Sequence, residues 1–199
     1  RSHVAAPLFH TWGFAHLSLG MLLGSTVVLT RRFEPENALK VLTEHKCDSF
    51  VVIPVMLQRI LQLPEETRSR YDFSTVKVVA ASGSALPGDL ALNWMNTFGD
   101  NLYNLYGSTE VSNATIATPQ DMRAAPGTSG RPPRGTVVRI LDEHGATLPR
   151  DGQSQGELMV RGQWIVERYF KTDKTALVDG WFPTGDIATI DADGVMTIR

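Results

Sequence analysis

Glu34-Pro35-Glu36-Asn37-Ala38-Leu39-Lys40-Val41-Leu42-Thr43-Glu44, followed by Ser49-Phe50-Val51-Val52-Ile53, decides the fold. Acids and a proline open the first segment as they open a helix, and Ala38, Leu39 and Leu42 follow at helical spacing. The second segment is a short, uninterrupted apolar run, as in a strand buried on both faces. Pro54 ends that strand and opens another helix, Val55 to Leu63. Further along, Val76 to Ala80 reads as a strand and Pro87 to Phe98 as a helix stopped by Gly99. Strands alternating with helices indicate βαβ units and a mostly parallel sheet, so residues 1–118 read as an α/β region.

Beyond Pro119 the composition changes. Pro126-Gly127-Thr128-Ser129-Gly130-Arg131-Pro132-Pro133-Arg134-Gly135 is too rich in glycine and proline for helix or strand. Short strands are expected at Thr136–Leu141, Glu157–Val160, Asp186–Ile190 and Val195–Ile198. Polar turns ending in Gly145 and Gly194 separate some of them. Residues 119–199 are therefore expected to form a small, mainly-β region, a distorted barrel or curled sheet.

The 199 residues suffice for a core without crosslinks. With 19 Lys and Arg against 21 Asp and Glu, the net charge is -2, and no basic cluster suggests a nucleic-acid partner. Cys47 is the single cysteine, which excludes an internal disulfide and points to a reducing, cytoplasmic setting. Thr11 to Thr30 carries no Asp, Glu, Lys or Arg over a length that could span a bilayer. The Gly24-Ser25 break and the β-branched Thr26–Thr30 favour a buried helix, a tight turn and a buried strand, so no transmembrane segment is expected. At the other end, apolar alternation continues to Arg199, and the chain reads as a piece of a longer polypeptide.

Several chemistries lack their residues. There is no G-x-x-x-x-G-K-[ST] loop at Lys174-Thr175, no G-x-S-x-G around Ser82 or Ser84, and no H-E-x-x-H among the five histidines. Asn104-Leu105-Tyr106-Gly107-Ser108-Thr109-Glu110 is different. A short strand, Asn101 to Tyr103, delivers an aromatic, a glycine, two hydroxyls and a carboxylate together at its C-terminal end, where ligands of open α/β sheets bind. Tyr106 suits stacking on a base and Gly107 a close backbone approach; Thr109 can donate to a phosphate oxygen, and Glu110 can supply oxygen to Mg²⁺. A turn into a helix, capped by Thr109, would use the same residues structurally.

Five segments in order resemble motifs of the adenylate-forming enzymes, which include acyl-CoA synthetases, firefly-type luciferases and the adenylation domains of peptide synthetases. Tyr106-Gly107-Ser108-Thr109-Glu110 matches YGxTE, and Pro7-Leu8-Phe9-His10 is similar to PLFH. Ser82-Gly83-Ser84-Ala85-Leu86-Pro87 resembles SGGAPL, Gly156 to Gly162 resembles GELxVRG, and Trp181 to Asp186 resembles WFxTGD. The resemblance covers the later half of the family's large N-terminal domain and is strongest to fatty-acid acyl-CoA synthetases.

That resemblance implies an ATP-dependent enzyme that joins a carboxylic acid to AMP and passes the acyl group to coenzyme A, with Mg²⁺ as cofactor. It implies Thr109 on the α-phosphate, Glu110 on Mg²⁺ and His10 near the carboxylate being activated. Asp186 would accept from the ribose hydroxyls, Leu105 and Tyr106 would meet the adenine on one side with Ser84 and Ala85 on the other, and Gly107 would let the backbone approach the nucleotide. Ser84 stands where the motif has its second glycine. The family's pyrophosphate loop should precede Arg1 and its small lysine-bearing domain should follow Arg199, so this stretch alone is expected to be inactive. Delivery to a carrier protein, or a non-catalytic nucleotide-binding module, are the alternatives. Unpaired sheet edges in so short a piece would invite self-association.

Overall fold

The computed structural model describes residues 1–199, which divide into two compact units, Arg1–Asn104 and Leu105–Arg199. In chain order the first holds β1 (Ser2–Val4), α1 (Thr11–Leu22), β2 (Val27–Val28), α2 (Pro35–Glu44), β3 (Ser49–Val52), α3 (Pro54–Leu61), α4 (Glu65–Arg68), β4 (Val78–Ala81) and α5 (Gly88–Phe98). Next comes β5 (Leu102–Ser108), within which the division falls. The second unit continues through β6 (Ser112–Ala117), α6 (Pro119–Ala124), β7 (Thr136–Leu141), β8 (Gly156–Gly162), β9 (Phe182–Ile190) and β10 (Met196–Ile198).

The expected α/β region is present. Strands run in the order β2-β1-β3-β4-β5-β6, and every pairing from β2 to β5 is parallel. Phe50, Val51 and Val52 are buried, as a strand covered on both faces requires. Ala38, Leu39, Val41 and Leu42 form the buried stripe of α2. Pro54 and Met56, Leu57 and Ile60 do the same for α3. Gly99 stops α5 at φ +92°, a conformation that glycine adopts without steric cost. Below it Trp94 donates its indole N–H to the Asn101 side chain at 3.1 Å, and Asn101 in turn donates to the Phe98 carbonyl at 3.1 Å.

The uncharged stretch divides as expected into α1, a turn with Gly24 at φ +62° and β2. No helix is long and apolar enough to cross a membrane. Two expectations of burial fail: β2 is only half-buried, with Leu29 exposed just beyond it, and α1 is not buried. Only Gly13 and Gly20 are enclosed, because the helix is apolar all round and a single sheet covers one side of it.

In the second unit β10-β9-β8-β7 form a curled antiparallel sheet with a register shift between Glu157 and Met159. Alternate residues point inward: Val138, Ile140, Leu158, Val160, Phe182, Ala188, Ile190 and Met196 make one core cluster with Val111 and Ala114. Composition hid α6, a single helical turn just past the change at Pro119. Its start is a reciprocal cap, with the Thr118 hydroxyl accepting from the Asp121 amide and the Asp121 carboxylate accepting from the Thr118 amide.

Candidate functional site

In the second unit the signature segment lies differently from the expectation. β5 extends through Ser108, so Tyr106 and Gly107 sit within the strand, and Thr109 and Glu110 form a turn into β6 instead of opening a helix. Gly107 is required by space: a Cβ there would stand 1.8 Å from the Ser112 carbonyl oxygen. The Ser108 hydroxyl accepts from the Glu110 amide at 3.2 Å and shapes the turn. Thr109 is exposed at its tip.

The structure joins Tyr106 to Asp186, 80 residues away: the phenol donates to Asp186 Oδ2 in a short hydrogen bond. Thr184 sets the carboxylate's backbone, its hydroxyl accepting from the Asp186 amide at 3.1 Å and donating to the Leu158 carbonyl at 2.9 Å. Gly185 between them takes φ +76°. Burial, and then the bond to Asp186, push the Tyr106 phenol well above its ordinary pKa, so it stays a donor at neutral pH. Its ring packs partly against the core cluster, while Asp186 is exposed and keeps Oδ1 open.

Glu110 is fixed at two points. Its carbonyl accepts from the Val166 amide at 2.8 Å, and its carboxylate accepts from the Tyr169 hydroxyl at 3.4 Å. Partial burial and then the facing carboxylate raise the Tyr169 pKa. Sequence reasoning missed Tyr169 because nothing in a pattern links residues 59 apart. Thr184 was legible as part of the Thr-Gly-Asp motif, but its bonds depend on sheet register.

In the first unit, His10 is the exposed residue preceding α1, with its ring 4.6 Å from that of Phe9 and no side-chain cap bond. Ser84 and Ala85 lie in an exposed loop after β4, pinned by buried Leu86. Because β1, β3 and β4 are parallel, both segments leave the same C-terminal edge of that sheet. The left-handed backbone falls on Gly83, φ +91°, and not on residue 84, so serine in place of the motif's glycine needs no strained conformation. Trp12 packs against a small core of Val4, Ala6 and Val51, and its indole donates to the Val52 carbonyl at 2.9 Å.

No group of three or more His, Cys, Asp or Glu side chains is placed to hold a metal. Mg²⁺ keeps most of its waters and is bound through one or two carboxylates together with substrate phosphates, and the Glu110 carboxylate is of the type such a site could use.

The family model described as AMP-binding enzyme matches residues 1–170. The medium-chain-fatty-acid–CoA ligase of Ectopseudomonas oleovorans is 33% identical over 96% of this chain and 37% of its own length. The 3-methylmercaptopropionyl-CoA ligase of Ruegeria pomeroyi is 32% identical over 97% and 38% respectively. This chain thus spans well under half the length of either relative. Among solved structures, the amide bond synthetase McbA from Marinactinospora thermotolerans superposes with a TM-score of 0.91 at 28% identity, over all of this chain and 41% of that one. The o-succinylbenzoate CoA synthetase of Bacillus subtilis in complex with ATP and magnesium ion gives 0.84 at 25% identity, over all of this chain and 41% of that one. With the parallel sheet, the curled antiparallel sheet and the ordered motifs in place, the chain belongs to the AMP-binding, adenylate-forming enzyme family.

Proposed function

We propose that this chain is part of an AMP-forming acid–thiol ligase that activates a carboxylic acid, a fatty acid in the first instance, as acyl-AMP and transfers it to coenzyme A. The Tyr106–Asp186 pair carries the reading. An acceptor-only carboxylate, aimed by a donor that stays protonated and left with one oxygen open, suits the capture of vicinal ribose hydroxyls. Names of relatives add support for a CoA ligase, and they span medium-chain, long-chain and feruloyl acids.

Both steps develop negative charge on oxygen, so placed donors and a metal serve better than a covalent nucleophile. Bound ATP with Mg²⁺ supplies the α-phosphorus that the acid attacks. In the second unit, Thr109 would donate to an α-phosphate oxygen, Glu110 would hold the metal, Leu105 and Tyr106 would border the adenine, and Gly107 would let the backbone approach the nucleotide. In the first, His10 stands by the acid and Ser84 and Ala85 contribute to the adenine contact. On this reading residues 1–118 bind acyl group and adenylate, while 119–199 supply the Thr-Gly-Asp carboxylate in a cytoplasmic enzyme.

The test is carboxylate-dependent pyrophosphate release by the polypeptide that carries this chain, against short, medium, long and aromatic acids, with and without coenzyme A. Glu110→Ala or Asp186→Ala should each cost about tenfold or more. Wild-type rates in both variants would overturn the assignment. Pyrophosphate release without a thioester would move the acceptor to a carrier protein.

A further inference from the structure

The curled sheet carries a second cluster that adenylate chemistry leaves unused. Side chains alternate along its strands, so Arg139 on β7 and Arg161 on β8 point away from the face on which Val138, Ile140, Leu158 and Val160 are buried. The guanidinium carbon of Arg139 lies 4.2 Å, and that of Arg161 4.6 Å, from the centre of the Trp181 ring. Trp181 is 9% exposed. An indole attracts a guanidinium placed over its face while leaving the in-plane N–H donors available.

The ring meets both cations, but no carboxylate offsets their charge. Glu157, the acid on the same face of β8, stands opposite Leu141 and forms no ion pair with either arginine. The Nε–H of Arg139 is enclosed with no acceptor, a donor left unmet. A third guanidinium, that of Arg150, reaches the same strand and donates to the Val138 carbonyl at 3.3 Å.

We propose that Arg139, Trp181 and Arg161 form a binding site for a phosphate group. A tetrahedral dianion can accept from two guanidinium forks at once and matches their charge, whereas a carboxylate brings one charge to two cations. The site lies on the outward face of the curled sheet and requires neither ATP nor an acid substrate.

The full polypeptide that carries this chain serves for the test. Arginine Nε–H resonances are followed by ¹H–¹⁵N NMR during titration with inorganic phosphate or acetate at constant ionic strength, and Arg139→Lys identifies the resonance of interest. Phosphate should shift the Arg139 Nε–H signal saturably, with a midpoint about tenfold or more below that for acetate. Arg161→Gln should raise the phosphate midpoint by a similar factor, with the backbone amide spectrum reporting that the fold is kept. A shift that is linear in phosphate, or equalled by chloride, overturns the site. Saturation by acetate at the same midpoint overturns the phosphate assignment in favour of a carboxylate from another polypeptide segment.

Discussion

Helix α1 leaves Phe14, Met21 and Leu22 60%, 64% and 84% exposed, whereas the strands of the curled sheet enclose Leu158, Val160, Ala188 and Met196 completely. Both segments are strongly apolar, and the difference lies in period. Along β8 one face carries buried Leu158 and Val160, while the other carries Glu157 and Arg161 on either side of buried Met159, so one face is wholly enclosed and the other is covered only at its middle. Along α1 they run round the whole helix, and no single surface can cover them. Polar groups divide in a similar way. The first unit encloses a titratable residue, His3, with Asn101 and Asn104; the second encloses only the hydroxyls of Thr115, Thr128, Ser129 and Thr189. Hydroxyls carry no charge to be desolvated, so the second core holds no enclosed imidazole for acid to charge, whereas the first does.

The largest effect is expected from Leu158→Ala, which should cost about 2–5 kcal/mol by removing a fully buried side chain from the single core of the curled sheet. Hydrogen exchange at β8 amides reads it, and a loss below about 1 kcal/mol would mean that the alternation there carries little of the unit's stability.

Next comes acid. His3 is buried, stacks on Phe50, and bonds through Nδ1 to the Val28 carbonyl while Nε2 has no partner. Burial first, and the neighbouring His45 in addition, lower its pKa below 6.5, with the Val28 bond opposing them. The unfolded chain therefore takes up the proton at a higher pH than the folded one. Stability is full above about pH 6.5 and declines as pH falls from there toward the folded value. His16 shifts in the same direction, through burial opposed by its bond to the Trp12 carbonyl. His3→Gln should flatten the acid limb of the first unit, read by exchange at β1 and β3 amides. An unchanged limb would place the titrating group elsewhere.

Thr118→Ala should cost about 1 kcal/mol by leaving the Asp121 amide without its acceptor, seen as faster exchange in α6. The smallest effect belongs to the exposed helix. Phe14→Ser and Leu22→Ser should change stability by no more than about 0.5 kcal/mol, since neither side chain is enclosed. In sedimentation velocity the same changes should reduce self-association of the chain. Equal sedimentation of variant and parent would show that this apolar surface does not drive contact between copies.

Much of the fold was legible because its signals are local. Pro35, Pro54 and Gly99 mark ends that the backbone itself dictates, and the apolar run from Phe50 to Val52 specifies a strand buried on both faces. The short helix α6 was hidden although Thr118 and Asp121 have the spacing of a reciprocal cap, because the surrounding glycines and prolines dominate the composition. β5 was read as ending at Tyr103 because Gly107 and Ser108 look like loop residues. The glycine is there for the approach of the Ser112 carbonyl, a contact that no local propensity contains.

The sequence by itself determined the alternation of helix and strand, the passage to a mainly-β region and the residue types able to handle a nucleotide, since all three follow from spacing along the chain. Only the tertiary structure decided that Tyr106 would hold Asp186, that Tyr169 would face Glu110 and that two arginines would share one indole. Each of those contacts joins residues from 20 to 80 positions apart. Their geometry is set by sheet register and strand twist, which depend on how the whole core packs and not on any one segment.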